Sequence, residues 1–402
     1  MTTKPPVRDF ATDWDHAGPQ WVNDPFPIWD DLRTRCPVAH TDRYGGGWFP
    51  STHAGVSQIA NDSENFTSRS VIVGNGRPGD DALPAPIGIA PPISSDPPFH
   101  QLARRLILPA FAPGPVNRLE PRVRELCADL LDRVAGHEVV NGGSQYAQHI
   151  PAAVISRMLG FPESDEDLFR EFVHIVTAGI DHPEDDRIAE FVPVEEYFVR
   201  QIEDHIASPR DDLTSYLLGV ELGGEKLAVE HVFGTMILVL IAGIDTTWSA
   251  IGSSLWHLAN SPDDLARLVN EPDLMPFAVE ELLRFYAPVT MARLVKHDME
   301  YLGCPMKEYD WILLGFPAAN RDPAAFADAD KFIIDRRENR HLAFGLGIHR
   351  CVGSNLARLE LRVALEEFIR RYPRFELADP DEVTWAPGQI RGPRNLPLRI
   401  LA

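Results

Sequence analysis

Disulfide and zinc chemistry are the first things this sequence does without. Its 402 residues hold four cysteines, Cys36, Cys127, Cys304 and Cys351, with no C-x-x-C pair among them, which excludes a disulfide framework and a zinc cluster of the usual spacing. Positive charge is also scarce. Lys and Arg number 38 against 59 Asp and Glu, a formal net charge of -21, which argues against a nucleic-acid partner and for a self-repelling, soluble surface. Long apolar runs are missing: residues 232–244 form the longest nearly uncharged stretch, shorter than the about 20 residues a membrane span needs. The opening MTTKPPVRDFATDWD carries acids and no apolar h-region, so neither secretion nor a membrane anchor is expected, and a cytoplasmic protein is. There is no internal repeat and no low-complexity linker. At 44% hydrophobic residues, the chain has ample material for a large core.

What the chain does have is concentrated in residues 341–353, HLAFGLGIHRCVG. Phe344, Gly345 and Gly347 precede Cys351, and Gly353 follows it. Glycines at this density mark backbone that turns tightly or lets something flat come close. Helical periodicity begins at Leu356, so Cys351 stands at a helix mouth, where amides and dipole favour a thiolate. A buried structural cysteine at a loop-to-helix turn is the plainer reading. The spacing F-G-x-G-x-H-x-C-x-G is far more restrictive, and an anionic sulfur beside a glycine-lined surface suits a thiolate-ligated haem iron.

A second feature is a helix over residues 227–259, about 45–50 Å long at 1.5 Å per residue. Residues 236–241, MILVLI, are apolar all round, as in a helix through the middle of a protein. Ala242, Gly243, Ile244, Asp245, Thr246 and Thr247 come next. Glycine costs about 1 kcal/mol against alanine in a helix, and a buried Asp must be paired or shifted in pKa. Local misfits of this kind point to function. The pattern predicts a helix opened at Gly243, with Asp245 and Thr246 beside the gap able to pass protons.

Weaker signals surround these two. His100 and Arg104 are four apart after Pro97-Pro98 and share a helix face, an arrangement suited to a carboxylate ligand. Glu281 and Arg284 can pair at i,i+3. Residues 68–95 are irregular, as functional loops are, and residues 178–194 read as a helix connection. Helices are expected over 26–35, 53–61, 116–135, 276–286 and 356–371. A hairpin is expected over 39–51, with extended pieces at 288–295 and 311–314. The fold class is therefore mainly α with small β-sheets, α+β.

Taken in order, residues 96–105, residues 242–247, Glu281-x-x-Arg284 and the loop ending at Cys351 resemble a cytochrome P450 of the soluble bacterial class. The resemblance covers nearly the whole chain and implies one haem domain, residues 1–402, with the P450 fold. One departure is Val352, where the family more often has Leu, Ile or Ala. The resemblance implies heme b (iron protoporphyrin IX) with Cys351 as proximal thiolate, whose electron push favours O–O cleavage. It implies His100, Arg104, Arg293 and His349 at the haem propionates, and Phe344, Gly345, Gly353, Ala242 and Gly243 against the cofactor. Glu281 and Arg284 become an internal pair tying a helix to the meander, with Arg336 or a neighbour as third member. Asp245 and Thr246 match the acid–alcohol pair that supplies protons during oxygen activation.

By the same resemblance the substrate pocket is lined by Ile87, Ile93, Leu238, Ile241, Val289, Thr290, Met291, Ala292 and Ile390. Nearly all are apolar, which implies hydroxylation or O-dealkylation of a small apolar or aromatic substrate. Residues 244–252 (IDTTWSAIG) and 289–293 (VTMAR) are similar to the branch oxidising thiocarbamates, aryl ethers and small aromatics. No flavin or iron–sulfur module is read in the chain. The resemblance therefore implies O2 and two electrons from a separate 2Fe-2S ferredoxin or flavodoxin with its NAD(P)H-dependent reductase. Arg105, Arg350, Arg358 and Arg362 are candidates for a basic patch on the cysteine side. Two alternatives are a peroxide-driven peroxygenase and a non-catalytic haem sensor; Asp245-Thr246 weighs against both.

Overall fold

A computed structural model describes residues 5–74, 76–78, 89–177, 184–222 and 224–401. The small, β-rich part is built around one five-stranded sheet. Its order is Val38–Thr41, Gly47–Pro50, Trp311–Leu314, Met291–Val295, Phe66–Thr67. The first two strands form the expected hairpin, turned at Tyr44 (φ 62), Gly45 and Gly46. Gly47–Pro50 then pairs in parallel with Trp311–Leu314.

Strand periodicity gives this sheet two buried faces. Ala292, Leu294, Trp311 and Leu313 pack with Trp14, Trp21, Trp29, Tyr44 and Phe49. Val295, Ile312 and Leu314 pack with Phe66, Ile59 and Phe316 on the other side, with Met291 against them. Arg293 shares that second face.

The helical part surrounds one central element, Val229–Asn260, 32 residues long. It packs against His149–Leu159, Glu166–Thr177 and Ser354–Arg371. By length and composition this helix is apolar enough to cross a membrane, but it lies mostly buried within the protein.

The expected opening at Gly243 does not occur: the helix is continuous from Val229 to Asn260. Glycine is there for proximity instead. A Cβ at Gly243 would come within 2.5 Å of the Ile155 side chain, so its absence lets two helices approach. Thr246 Oγ1 donates to the Ala242 carbonyl at 2.8 Å, satisfying the hydroxyl inside the helix rather than at a gap. Residues 178–194 also differ from expectation. Helix Glu184–Ala207 takes in Pro193 and occupies most of the anticipated connection; residues 178–183 lie outside the described residues.

Met275–Phe285 is the helix that locks the approach to the cysteine loop. Glu281 and Arg284 are both fully buried, so the pair is far from the solvated kind that contributes little. Arg284 Nε and Nη2 each meet a Glu281 oxygen at 2.8 Å, and Arg336 Nε joins at 3.0 Å. Arg284 also donates to the carbonyls of Asn320, Ala329 and Lys331 at 2.8–2.9 Å. A planar fork with five donors can hold a chain segment that has no regular structure of its own.

Candidate active site

The cysteine loop is shaped by its glycines. Gly345 and Gly347 take φ of 63 and 65, a left-handed backbone that L side chains rarely adopt. They return the chain so that the Cys351 N–H donates to the Phe344 carbonyl at 2.8 Å. Helix Ser354–Arg371 then starts with Gly353 as its N-cap. Burial pushes the Cys351 thiol up, while the Gly353 N–H and the guanidiniums of Arg104, Arg350 and Arg358 pull it back. The residue is nevertheless exposed by area. Cys351 is thus open to solvent as a residue while its thiol has three guanidiniums around it.

Phe344 is half-buried beneath the Arg358 guanidinium, 4.4 Å from its ring centre. Arg358 is held in turn by Glu280 at 2.6 and 2.9 Å. His341 also reaches Glu280, at 3.1 Å, and the partners together drop that carboxyl to about 2 against the cost of burial.

The four residues expected at propionates do come together. His100 and His349 rings lie 4.2 Å apart between centroids, and Ser68 Oγ meets His349 Nε2 at 3.0 Å. Arg104 donates to the Arg350 carbonyl, and its charge reaches Cys351. Arg293 donates to the Ala292 carbonyl at 2.7 Å. Burial, then neighbouring cations, lowers His100 to about 4 and His349 to about 2. Burial lowers Arg293 to about 10. Within 4.0 Å, Arg293 meets no carboxylate among the described residues, and both buried ring nitrogens of His100 lack a hydrogen-bond partner among them.

So many donors and cations with so few anions fit a group carrying carboxylates. Ala242 fits its apolar body: it is exposed in mid-helix, with Leu238, Ile241 and Gly243 half-buried beside it. The residues present therefore suit a flat, dicarboxylate, thiolate-ligated group.

Asp245 is buried, and its Oδ1 meets Arg394 Nη2 at 2.5 Å. Arg394 also donates to Ser249 Oγ at 3.2 Å and lies over the Trp248 ring, 4.1 Å from its centre. This partner was not legible: Arg394 lies just past the tail's Gly/Pro turn, in strand Pro393–Asn395, with no local pattern linking it to the helix. Ser68 and Glu280 were missed for the same reason.

Of the expected pocket residues, Ile93, Leu238, Ile241, Val289, Met291 and Ile390 are half-buried and Thr290 is buried. Val289 and Ile390 form an antiparallel bridge. Ala292 does not join them. It is fully buried in the aromatic core with Trp14 and Phe49, because strand alternation turns it away from Met291 and Arg293. Ile87 lies outside the described residues.

The basic patch needs correction too. Arg358 is tied to Glu280, and Arg362 to Glu120 at 2.7 Å and Glu366 at 3.2 Å. Only Arg105 and Arg350 of the four are exposed without an ion pair among the described residues.

Comparison with known proteins points to one family. Residues 186–387 match the family model "Cytochrome P450". Cytochrome P450 107B1 of Saccharopolyspora erythraea is 37% identical over 76% of each chain. Nocardicin C N-oxygenase of Nocardia uniformis is 34% identical, covering 91% of this chain and 92% of that protein. The crystal structure of CYP109E1 from Bacillus megaterium in complex with testosterone superimposes with a TM-score of 0.86. It is 30% identical, covering 94% of this chain and 98% of that one.

Proposed function

The chain belongs to the cytochrome P450 family of haem-thiolate monooxygenases, and we propose that Cys351 is its thiolate, Asp245 and Thr246 its proton-delivery pair, and a small apolar or aromatic molecule its substrate. The observation that carries the reading is the joint setting of Cys351. Cys351 is exposed, three guanidiniums partly offset the burial that raises its thiol, and the cluster of His100, Arg104, Arg293 and His349 feels one buried carboxylate, Asp96, which is already shared with Lys296 at 3.6 Å.

In this reading those four residues, with Phe344, Gly345, Gly353, Ala242 and Gly243 against its faces, would hold the haem. When bound, haem supplies the oxygen activation and the oxidising power. The chain's own work is positional and protonic. Asp245 exchanges protons at its carboxylate while Arg394, partly exposed, connects it toward solvent. Thr246 spends its proton on the Ala242 carbonyl, which leaves Oγ1 free to accept. Ile93, Leu238, Ile241, Val289 and Ile390 keep water out and favour apolar substrates, for hydroxylation or O-dealkylation.

Arg105 and Arg350 are the exposed cations offered to an acidic 2Fe-2S ferredoxin or flavodoxin, itself served by an NAD(P)H-dependent reductase in the cytoplasm. One domain, residues 1–402, suffices for this assignment.

The reduced protein with carbon monoxide is expected to show the thiolate-type band, and Cys351→Ser to lose it. A histidine-type band, or no haem in the wild type, overturns the reading. With a substrate found by the spin shift it induces, across small aromatics to steroids, Thr246→Ala is expected to consume oxygen and release hydrogen peroxide in place of product. Coupling that stays intact removes Thr246 from the mechanism.

A further inference from the structure

Five hydrogen bonds converge on Gln389. Its side-chain Oε1 accepts from the Val73 N–H at 2.6 Å. Its Nε2 donates one hydrogen to the Val71 carbonyl at 3.0 Å and the other to the Thr290 carbonyl at 3.1 Å. Its backbone carbonyl accepts from the Thr290 N–H at 2.8 Å and from Thr290 Oγ1 at 3.2 Å. The amide's orientation is fixed by this set, because a flipped amide would aim donors at the Val73 N–H and its oxygen at a carbonyl.

The three segments joined are far apart in the chain and share little regular pairing. Residues 71–73 lie outside any strand. The turn at Gly388 (φ 86) touches residues 288–290 through the single Val289–Ile390 bridge and the Arg391 N–H on the Pro288 carbonyl at 2.7 Å. A sheet interior would set such spacings by its ladder. Here one side chain sets the distance between residues 71–73 and the bridge, while a second bond, Ala292 N–H to Val71 carbonyl at 3.0 Å, closes the triangle.

We propose that Gln389 is a positioning residue for selectivity: without touching substrate, it fixes the width of the pocket wall formed by Val289, Thr290 and Ile390. The inference rests on those residues lining the haem pocket. Loss of the amide takes their side-chain partner from the Thr290 carbonyl and the Val73 N–H and leaves the Val71 carbonyl with the Ala292 N–H, so the wall must shift until the first two find another.

The test uses full-length, haem-loaded protein and two nitrogen ligands read by the haem spectrum, imidazole and 4-phenylimidazole. Imidazole reports the iron; the phenyl group of the second reports the wall above it. In Gln389→Leu the ratio of the two dissociation constants is expected to move by roughly tenfold, the factor that one well-placed hydrogen bond represents. Imidazole affinity and the carbon monoxide band are expected to stay as in the wild type. A merely stabilising role would lower the melting temperature and leave that ratio in place, and this outcome overturns the proposal. Gln389→Met, unbranched and of similar length, is measured beside it. If neither variant accumulates with haem, Gln389 is a folding residue and the proposal also falls. A wild type that binds neither azole defeats the haem reading itself, a result distinct from either.

Discussion

Glu360 is a carboxyl in the wrong medium. It sits in helix Ser354–Arg371 at 1% exposure, neither oxygen has a hydrogen-bond partner among the described residues, and burial raises it to about 8. The folded protein therefore keeps this proton at pH values where the unfolded chain has lost it. Its stabilising effect is full below the ordinary glutamate range and drains away as pH rises toward 8. Glu360→Gln, which presents a permanently neutral group of the same shape, is expected to flatten that decline and to melt higher than the wild type near pH 8. The gain should be on the order of a few kcal/mol. Equal melting curves for both proteins across pH 5–8 would remove the assignment. Single residues of this sort were half legible. Cys351 announced itself by its spacing, whereas nothing beside Glu360 distinguishes it from the solvated glutamates elsewhere in the chain, because burial is a property of packing.

At the scale of elements, the long helix and the tail crossing it depend on glycine for contact rather than for bending. Gly392 lies against the helix so closely that a Cβ would stand 2.4 Å from the Ser249 Cα. Gly252 is similarly close to Pro393. Gly392→Ala cannot be absorbed by a rotamer change, since the atom it meets is backbone. The tail should lift, separating Arg394 from Asp245 and Ser249. We expect a loss of about 1–3 kcal/mol in thermal or denaturant melts, the range for overpacking, together with more peroxide per product formed. Unchanged stability and coupling would show that the crossing tolerates bulk. The same chemistry explains the misreading of Gly243. A glycine in an apolar helix serves equally well as a hinge or as a place to let a neighbour in, and only the position of Ile155 decides between them. Helix and strand positions such as 26–35, 53–61 and 311–314 were legible because periodicity is local. The facing of Ala292 was not, because one residue of strand register reverses it.

Over the whole molecule, the Glu281–Arg284–Arg336 cluster does what no core of apolar side chains can. It binds an irregular stretch of chain by its carbonyls and fixes where the cysteine loop begins. Glu281→Gln leaves two buried guanidiniums with one neutral partner. The cost is expected at about 3–5 kcal/mol, that of breaking a buried pair, read as a loss of haem-loaded protein on expression and a lowered melting point. Normal yield and melting would reduce the cluster to an ornament of packing. The pair was legible as a motif, but its burial and the carbonyls it serves were not.

The segment bearing Gln389, Ile390 and Arg394 has one more consequence, in the order of synthesis. Domains made at roughly 5–20 residues per second begin to organise from the N-terminal side. The nascent chain therefore carries Cys351 and the long helix before residues 389–394 exist. During that interval Asp245 has no guanidinium to face and the pocket has no closing wall. The site is completed by the last of its own parts to be made.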